Sequence, residues 1–190
     1  MELLKNRILR DGIVKSENVL KVDSFLNHQI DIRLMDDIGR EFYRLFHDDR
    51  ITKILTIEAS GVAVACATAR YFSVPVIFAR KTKSSTLDEN AYTARIKSFT
   101  HKDTNWAMVS ANYLDEDDRV LIVDDFLAEG NATQGLLEIC DYAGATVVGV
   151  GIVIEKGFQQ GGDMLRENGV HLESLAIIDS MGPDGIKFRD

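Results

Sequence analysis

Two adjacent carboxylates at the end of an apolar run are the residues of this chain best suited to chemistry. The run is Val120-Leu121-Ile122-Val123, then Asp124 and Asp125, then Phe126-Leu127-Ala128-Glu129-Gly130-Asn131-Ala132-Thr133. An unbroken series of β-branched and long apolar residues reads as a strand buried in a parallel sheet. The aspartates fall where that strand is expected to end. A short Ala/Gly/Asn turn then leads into Leu136, Leu137, Ile139 and Cys140, whose spacing reads as a helix. Open α/β sheets place ligands at the C-terminal edge of parallel strands. Amides of a tight turn that opens a helix are free donors in a favourable dipole field, which suits a phosphate. Carboxylates beside such a site need a partner rich in hydroxyls or bound to metal, and a ribose phosphate supplies both features. A solvated strand-to-helix turn with an N-cap Asp fits the same spacing.

A second turn of this kind is Glu58-Ala59-Ser60-Gly61-Val62-Ala63, after the short apolar stretch Lys53–Ile57. Small residues and a glycine let amides close on an anion at a helix start, though such turns also serve as plain connections. The third feature is the basic run Arg80-Lys81-Thr82-Lys83-Ser84-Ser85, which opens a polar stretch reaching Asn105. Basic runs are commonly solvated faces. A segment of roughly 25 polar residues in a compact domain is nevertheless uncommon unless it is a lid or disordered.

The elements that must position these residues alternate along the chain. Met1–Arg10, apolar at 3, 4, 8 and 9, suits a short amphipathic helix, and Asp31–His47 carries a helical stripe at 34, 35, 38, 42, 45 and 46. Asn18–Val22 reads as a small strand and 23–29 as a polar segment. Strands are expected over Lys53–Ile57, Val74–Ala79, Trp106–Ala111, Thr146–Glu155 and Ser174–Asp179, with helices over Ser60–Phe72 and Gly162–Asn168. This alternation predicts an α/β fold with a mainly parallel sheet covered on both faces.

At 190 residues and 45% hydrophobic, the chain can bury one sizeable core and is expected to form one domain. A net charge of −8 argues against a nucleic-acid surface. No apolar run is long enough for a signal peptide or a membrane span, so a cytoplasmic location without a membrane partner is expected. Cys66 and Cys140 sit in apolar helical patterns without a CxxC partner, which reads as two buried structural thiols in a reducing compartment.

The stretch 120–133 resembles the phosphoribosyl-diphosphate (PRPP) motif of the type I phosphoribosyltransferases: apolar strand, two acidic residues, small-residue phosphate loop. Most members carry a Thr-Gly-Gly-Thr-like loop where this chain has Glu129-Gly130-Asn131-Ala132. The loop hydroxyls are therefore missing, while backbone amide contacts do not depend on them. The pattern Val-Asp-Asp-Phe-Leu-Ala-x-Gly-x-Ala is similar to bacterial xanthine phosphoribosyltransferases in particular, and the similarity runs from the Met-Glu-Leu-Leu-Lys start to the Lys156 region. This resemblance implies a type I phosphoribosyltransferase fold: one domain over 1–190, a core at about 31–154, and a small hood from about 1–30 and 155–190. A flexible lid over the basic stretch would exclude water from an oxocarbenium-like transition state.

It further implies that xanthine and PRPP are converted to XMP and pyrophosphate with Mg²⁺. Asp124 and Asp125 would then hold the ribose hydroxyls, Asp125 being the candidate for metal contact. Amides of Ala128, Glu129, Gly130, Asn131 and Ala132 would hold the 5′-phosphate, with Glu129 turned to solvent. Ala59, Ser60 and Gly61 would hold the pyrophosphate, with Glu58 at a metal or an amide. Arg80, Lys81 and Lys83 would neutralise the pyrophosphate, with Tyr92, Ser84 and Ser85 as further contacts. The base would lie among Leu20, Asn27, Lys156 and Phe158. A lysine only donates, so it favours a 6-oxopurine over adenine. A guanine/hypoxanthine enzyme, or a PRPP-sensing regulator without catalysis, are the alternatives; the regulator needs a DNA-binding module, and no winged helix is recognisable in the first 50 residues. A homodimer is also implied.

Overall fold

Parallel strands of unbroken apolar residues need cover on both faces, and that requirement organises the chain. The computed structural model describes residues 1–82, 90–97 and 104–189, with the backbone only at 97 and 104. The chain opens with helix α1 (Glu2–Asp11) and a hairpin of β1 (Ile13–Ser16) and β2 (Val19–Lys21). A single π-helical turn over Asp23–Asn27 follows, then helix α2 (Ile32–Phe46). Asp31 starts α2 by accepting from the Arg33 and Leu34 amides at 3.1 and 3.2 Å. The remaining elements are β3 (Lys53–Ile57), α3 (Gly61–Phe72), β4 (Val76–Thr82), β5 (Ala91–Lys97), β6 (Thr104–Ser110), β7 (Arg119–Leu127), α4 (Asn131–Ala143), β8 (Thr146–Lys156), α5 (Gly161–Glu167), β9 (Leu172–Gly182) and β10 (Gly185–Phe188).

Eight strands form one sheet in the order β10-β9-β8-β7-β3-β4-β6-β5. Its centre, β9-β8-β7-β3-β4, is parallel. Antiparallel strands flank both sides: β10 on β9, and the β6–β5 pair on β4. Side chains alternate between two cores, as a period of two demands. Ile54, Leu121 and Val123 pack with α1, α2 and α3, whereas Leu55, Val120 and Ile122 pack with α4, β5 and β6. Gly151 of β8 lies under the Phe42 ring, where a Cβ would come within 2.8 Å, so α2 sits close on the sheet.

Several expectations need correction. Much of the stretch 81–105 is strand, since β4 runs on to Thr82 and β5 pairs with β6 from Ala91↔Ser110 to Lys97↔Thr104. The polar surface of this segment hid its strand content, because β5 turns inward only Tyr92, Ala94 and Ile96, separated by polar residues. Lys83, Ser84 and Ser85 lie outside the described residues. The segment 23–29 carries a helical turn with Phe25 and Leu26 fully buried. β7 passes the two aspartates and ends at Leu127, because its ladder with β8 continues through Phe126↔Ile154 and Leu127↔Glu155. Cys140 is buried, which pushes its thiol up to about 12. Cys66 is exposed, because Val64, Ala65, Thr68 and Ala69 form the inward face of α3.

Two outcomes follow from this packing. Phe42→Ala should cost about 3–5 kcal/mol, read as a lower urea midpoint; an unchanged midpoint would contradict its place in the core. Alkylation of the native protein at mild alkaline pH should modify Cys66 and spare Cys140 until denaturant is added, as counted by mass spectrometry.

Candidate active site at the switch point of the sheet

β3 pairs with β7 only as far as Leu55↔Ile122, and beyond it β7 is bonded to β8. The helix after β3 packs on one face of the sheet and the helix after β7 on the other. A crevice opens where strands diverge this way, and open α/β folds bind ligands there. Asp124 and Asp125 project from β7 beside it, and each is less than a tenth exposed.

Asp125 ties three segments together. Its Oδ1 accepts from the Ser60 hydroxyl at 2.9 Å and its Oδ2 from the Asn27 amide at 3.2 Å. Asp124 Oδ1 accepts from the Asp125 backbone amide at 2.9 Å. Burial, helped by the Asp125 charge, pushes Asp124 well above the ordinary carboxylate range. Gly61 sits against Asp124 Oδ1 and Thr56 Oγ1, with no room for a Cβ between them. The Thr56 hydroxyl is buried and has no partner among the described residues.

In the turn after β3, the Glu58–Ala59 peptide is cis. The Glu58 carboxylate accepts from the Lys81 amide at 2.6 Å, which joins this turn to β4. Ser60 makes no cap for α3, since its hydroxyl is used on Asp125. The first turn of α3 thus lacks a side-chain cap, and of its amides Val62 donates to the Ala59 carbonyl at 3.3 Å.

The second turn, 128–132, is a cradle of small residues. Gly130 has φ +80°, a left-handed conformation that side chains disfavour. No side chain caps α4, so its first amides stay free beside a cavity of about 190 Å³ lined by Phe126 to Thr133 and Ile96. Glu129 is half-buried at this cavity, where the sequence suggested a solvent-facing side chain.

On the other side of β7, Lys156 ends β8 next to the N-terminal hairpin. Its Nζ donates to the Asn18 carbonyl at 2.8 Å and lies 5.8 Å from the centre of the Phe126 ring. Burial lowers the Lys156 pKa. Leu20, two residues from Asn18, is buried on β2. Phe158 is half-buried against the core beneath α1 and α2. Phe126 and Thr56 were not singled out from sequence, and the signal was available only for Phe126, which directly follows the acidic pair.

The basic residues divide. Lys81 is exposed on β4, close enough to Asp124 to favour its ionised form. Arg80 points to the other face, as alternation requires, and lines a separate cavity of about 580 Å³ with Lys53, Phe78, Met108 and Tyr113. Tyr92 packs on the core beneath α4.

The raised Asp124 value fixes a sign. The folded protein keeps this proton at pH values where the unfolded chain has released it, so the associated stability is complete below 3.8 and lost as pH rises. Asp124→Asn should therefore unfold at higher urea than the parent near neutral pH, with the gain shrinking on acidification. A gain that grew on acidification would contradict the assignment.

Known proteins match this arrangement. The phosphoribosyl transferase domain family matches residues 21–164. Xanthine phosphoribosyltransferase of Lachnoclostridium phytofermentans is 59% identical over 184 residues, covering 97% of this chain and 95% of that protein. The enzyme of the same name from Clostridium novyi is 55% identical over 190 residues, covering 100% of both. Among solved structures, adenine phosphoribosyltransferase of Rhodothermus marinus superposes with a TM-score of 0.73 at 20% identity, covering 93% of this chain and 99% of that one. The Trypanosoma brucei adenine enzyme, solved with AMP, pyrophosphate and ribose-5-phosphate, gives 0.76 at 19% identity, covering 92% and 78%. With a carboxylate pair and a small-residue loop at the switch point of a parallel sheet, the chain belongs to the phosphoribosyltransferase family.

Proposed function

We propose that this protein is a xanthine phosphoribosyltransferase, a pentosyltransferase that joins xanthine to the ribosyl phosphate of PRPP and releases pyrophosphate. The observation that carries the reading is the set of groups gathered at the C-terminal ends of β7 and β8. Asp124 and Asp125, the free-amide loop after Leu127 and the Lys156 ammonium over the Phe126 ring meet there. A ribose 5-phosphate bearing a base at C1′ has a partner for each: hydroxyls, phosphate and base. Full-length relatives named for this activity support it.

In this reading the Ala128–Ala132 amides bind the 5′-phosphate and the Asp124–Asp125 carboxylates orient the ribose hydroxyls. Ala59, Ser60 and Gly61 face the pyrophosphate, with Lys81 offsetting its charge. Asn27 and Leu20 bound the base opposite Lys156, and Phe158 contributes to the wall. N9 attacks C1′ as the pyrophosphate leaves, so positioning and charge stabilisation supply most of the rate. Burial of Lys156 strengthens a hydrogen bond to a 6-oxo group, which is the specific observation favouring an oxopurine over adenine.

No group of three His, Cys, Asp or Glu that could hold a metal occurs among the described residues. Mg²⁺ suits one or two carboxylates completed by phosphate oxygens and water, and the crevice offers that donor set through Asp125. The ion would neutralise diphosphate charge. The same approach would favour ionised Asp124, which its burial disfavours.

No described helix is long and apolar enough to cross a membrane. A homodimer in the cytoplasm fits the reading. The exposed Phe78 and Tyr113 beside the 580 Å³ cavity offer apolar surface for a second copy, and sedimentation at twice the chain mass would test it.

The decisive assay compares product formation from xanthine, guanine, hypoxanthine and adenine with PRPP. Lys156→Ala should lower kcat/KM for xanthine about 10- to 100-fold, the equivalent of one hydrogen bond to a charged group. Adenine should gain relative to xanthine, and PRPP affinity should hardly move. A variant with intact xanthine kcat/KM and weakened PRPP binding would make Lys156 a phosphate ligand instead.

A further inference from the structure

A deeply buried charged cluster on β8, α5 and β9 lies outside the groups given a role above. Glu155 is the residue before Lys156 on β8 and is 1% exposed. Its two oxygens accept from Arg166 Nη1 and Nη2 of α5 at 2.8 Å each, and Ser174 of β9 donates to the second oxygen. Burial alone would raise the Glu155 pKa, but the Arg166 and Ser174 bonds outweigh it and hold the group below the usual carboxylate range. Gly162 lies against Oε1 with no room for a Cβ, so α5 is seated directly on this carboxylate.

α5 is seven residues long, and its inward side is Gly161, Gly162 and Leu165. Leu165 and the partly buried Met164 give modest, non-directional apolar adhesion, so the bidentate fork is what orients the helix. The other end of α5 reaches the phosphate loop. The Gly161 amide donates to the Ala128 carbonyl at 3.0 Å. A Cβ on Gly161 would come within 2.7 Å of the Gly130 nitrogen, and one on Gly130 would meet Met164 Cε at 3.0 Å. Gln134 of α4 donates to Met164 Sδ at 3.1 Å.

We propose that the Glu155–Arg166 pair is a positioning device for PRPP binding: it locks α5 against β8 so that Gly161 and Met164 hold the 128–132 loop in its phosphate-binding shape. This role rests on the function proposed above. It separates the two substrates. The Glu155 backbone is paired on both sides, to Leu127 and Ile177, so the course of β8 into Lys156 does not depend on the side chain. α5 has no such ladder and depends on the fork.

The test is calorimetric titration of PRPP with Mg²⁺ into the full chain, alongside KM for each substrate and a thermal melt. Arg166→Lys keeps the charge but loses the fork. It should weaken PRPP binding and raise the PRPP KM about 10- to 100-fold, as displacement of about an ångström does, with xanthine KM little changed. The double variant Glu155→Met/Arg166→Met replaces the pair with apolar volume and should fold. It should melt near the parent yet keep the weakened PRPP affinity, because packing cannot restore a directional contact. A double variant that regains parental PRPP affinity would reduce the pair to a structural filler. A parent that binds PRPP while Arg166→Lys binds it equally well would overturn the positioning role alone. A parent that binds no PRPP would overturn both this role and the function on which it rests.

Discussion

Like charges on neighbouring residues of one strand, both nearly out of water, repel each other and resist ionisation, and Asp124 with Asp125 accept that situation on β7. Much of the surrounding construction answers it. Ser60 and Asn27 each give a hydrogen bond to Asp125, and the Asp125 amide gives one to Asp124. The three donors come from the turn after β3, the turn before α2 and β7 itself. The pair therefore fixes the relative placement of segments far apart in the chain. Its unsatisfied acceptor capacity faces a crevice, where hydroxyls and a divalent cation can complete it.

The crevice exists because of connectivity. α3 carries the chain from β3 across one face of the sheet, and α4 carries it from β7 across the other. Two helix starts without side-chain caps end up beside one carboxylate pair. Both present amides to anions, which a diphosphate sugar with a 5′-phosphate can satisfy together. Lys156 and the hairpin are joined by the Asn18 contact, so this flank of the crevice is built from segments far apart in the chain.

Stability and function pull apart at this place. The half-exposed Arg166 anchors a deeply buried Glu155, and Asp124 is held in a form that its own burial disfavours ionising. Such groups are weak sources of stability and strong sources of orientation. The large apolar residues, Phe25, Phe42 and Phe46 among them, lie in the core beneath α1, α2 and α3 and supply the cohesion that makes this tolerable.

The acidic pair, the small-residue turn after it, β3 and its following helix were legible in the sequence because each depends on local spacing: an apolar run, two carboxylates, small residues, then a helical period. The same local logic found α1 and α2. β5 was not legible, since a strand with few inward apolar residues is specified by its partner rather than by its own pattern, whereas β6 was expected over Trp106–Ala111. Composition likewise could not tell that alternation sends Arg80 away from Lys81, or that Cys66 faces out while Cys140 faces in. The contacts of Asn27 with Asp125, Lys156 with Asn18 and Glu155 with Arg166 span 98, 138 and 11 residues. No periodicity encodes such pairs. They exist because the fold closes its two ends over the switch point, and only the tertiary structure decides which polar groups are left there for one another.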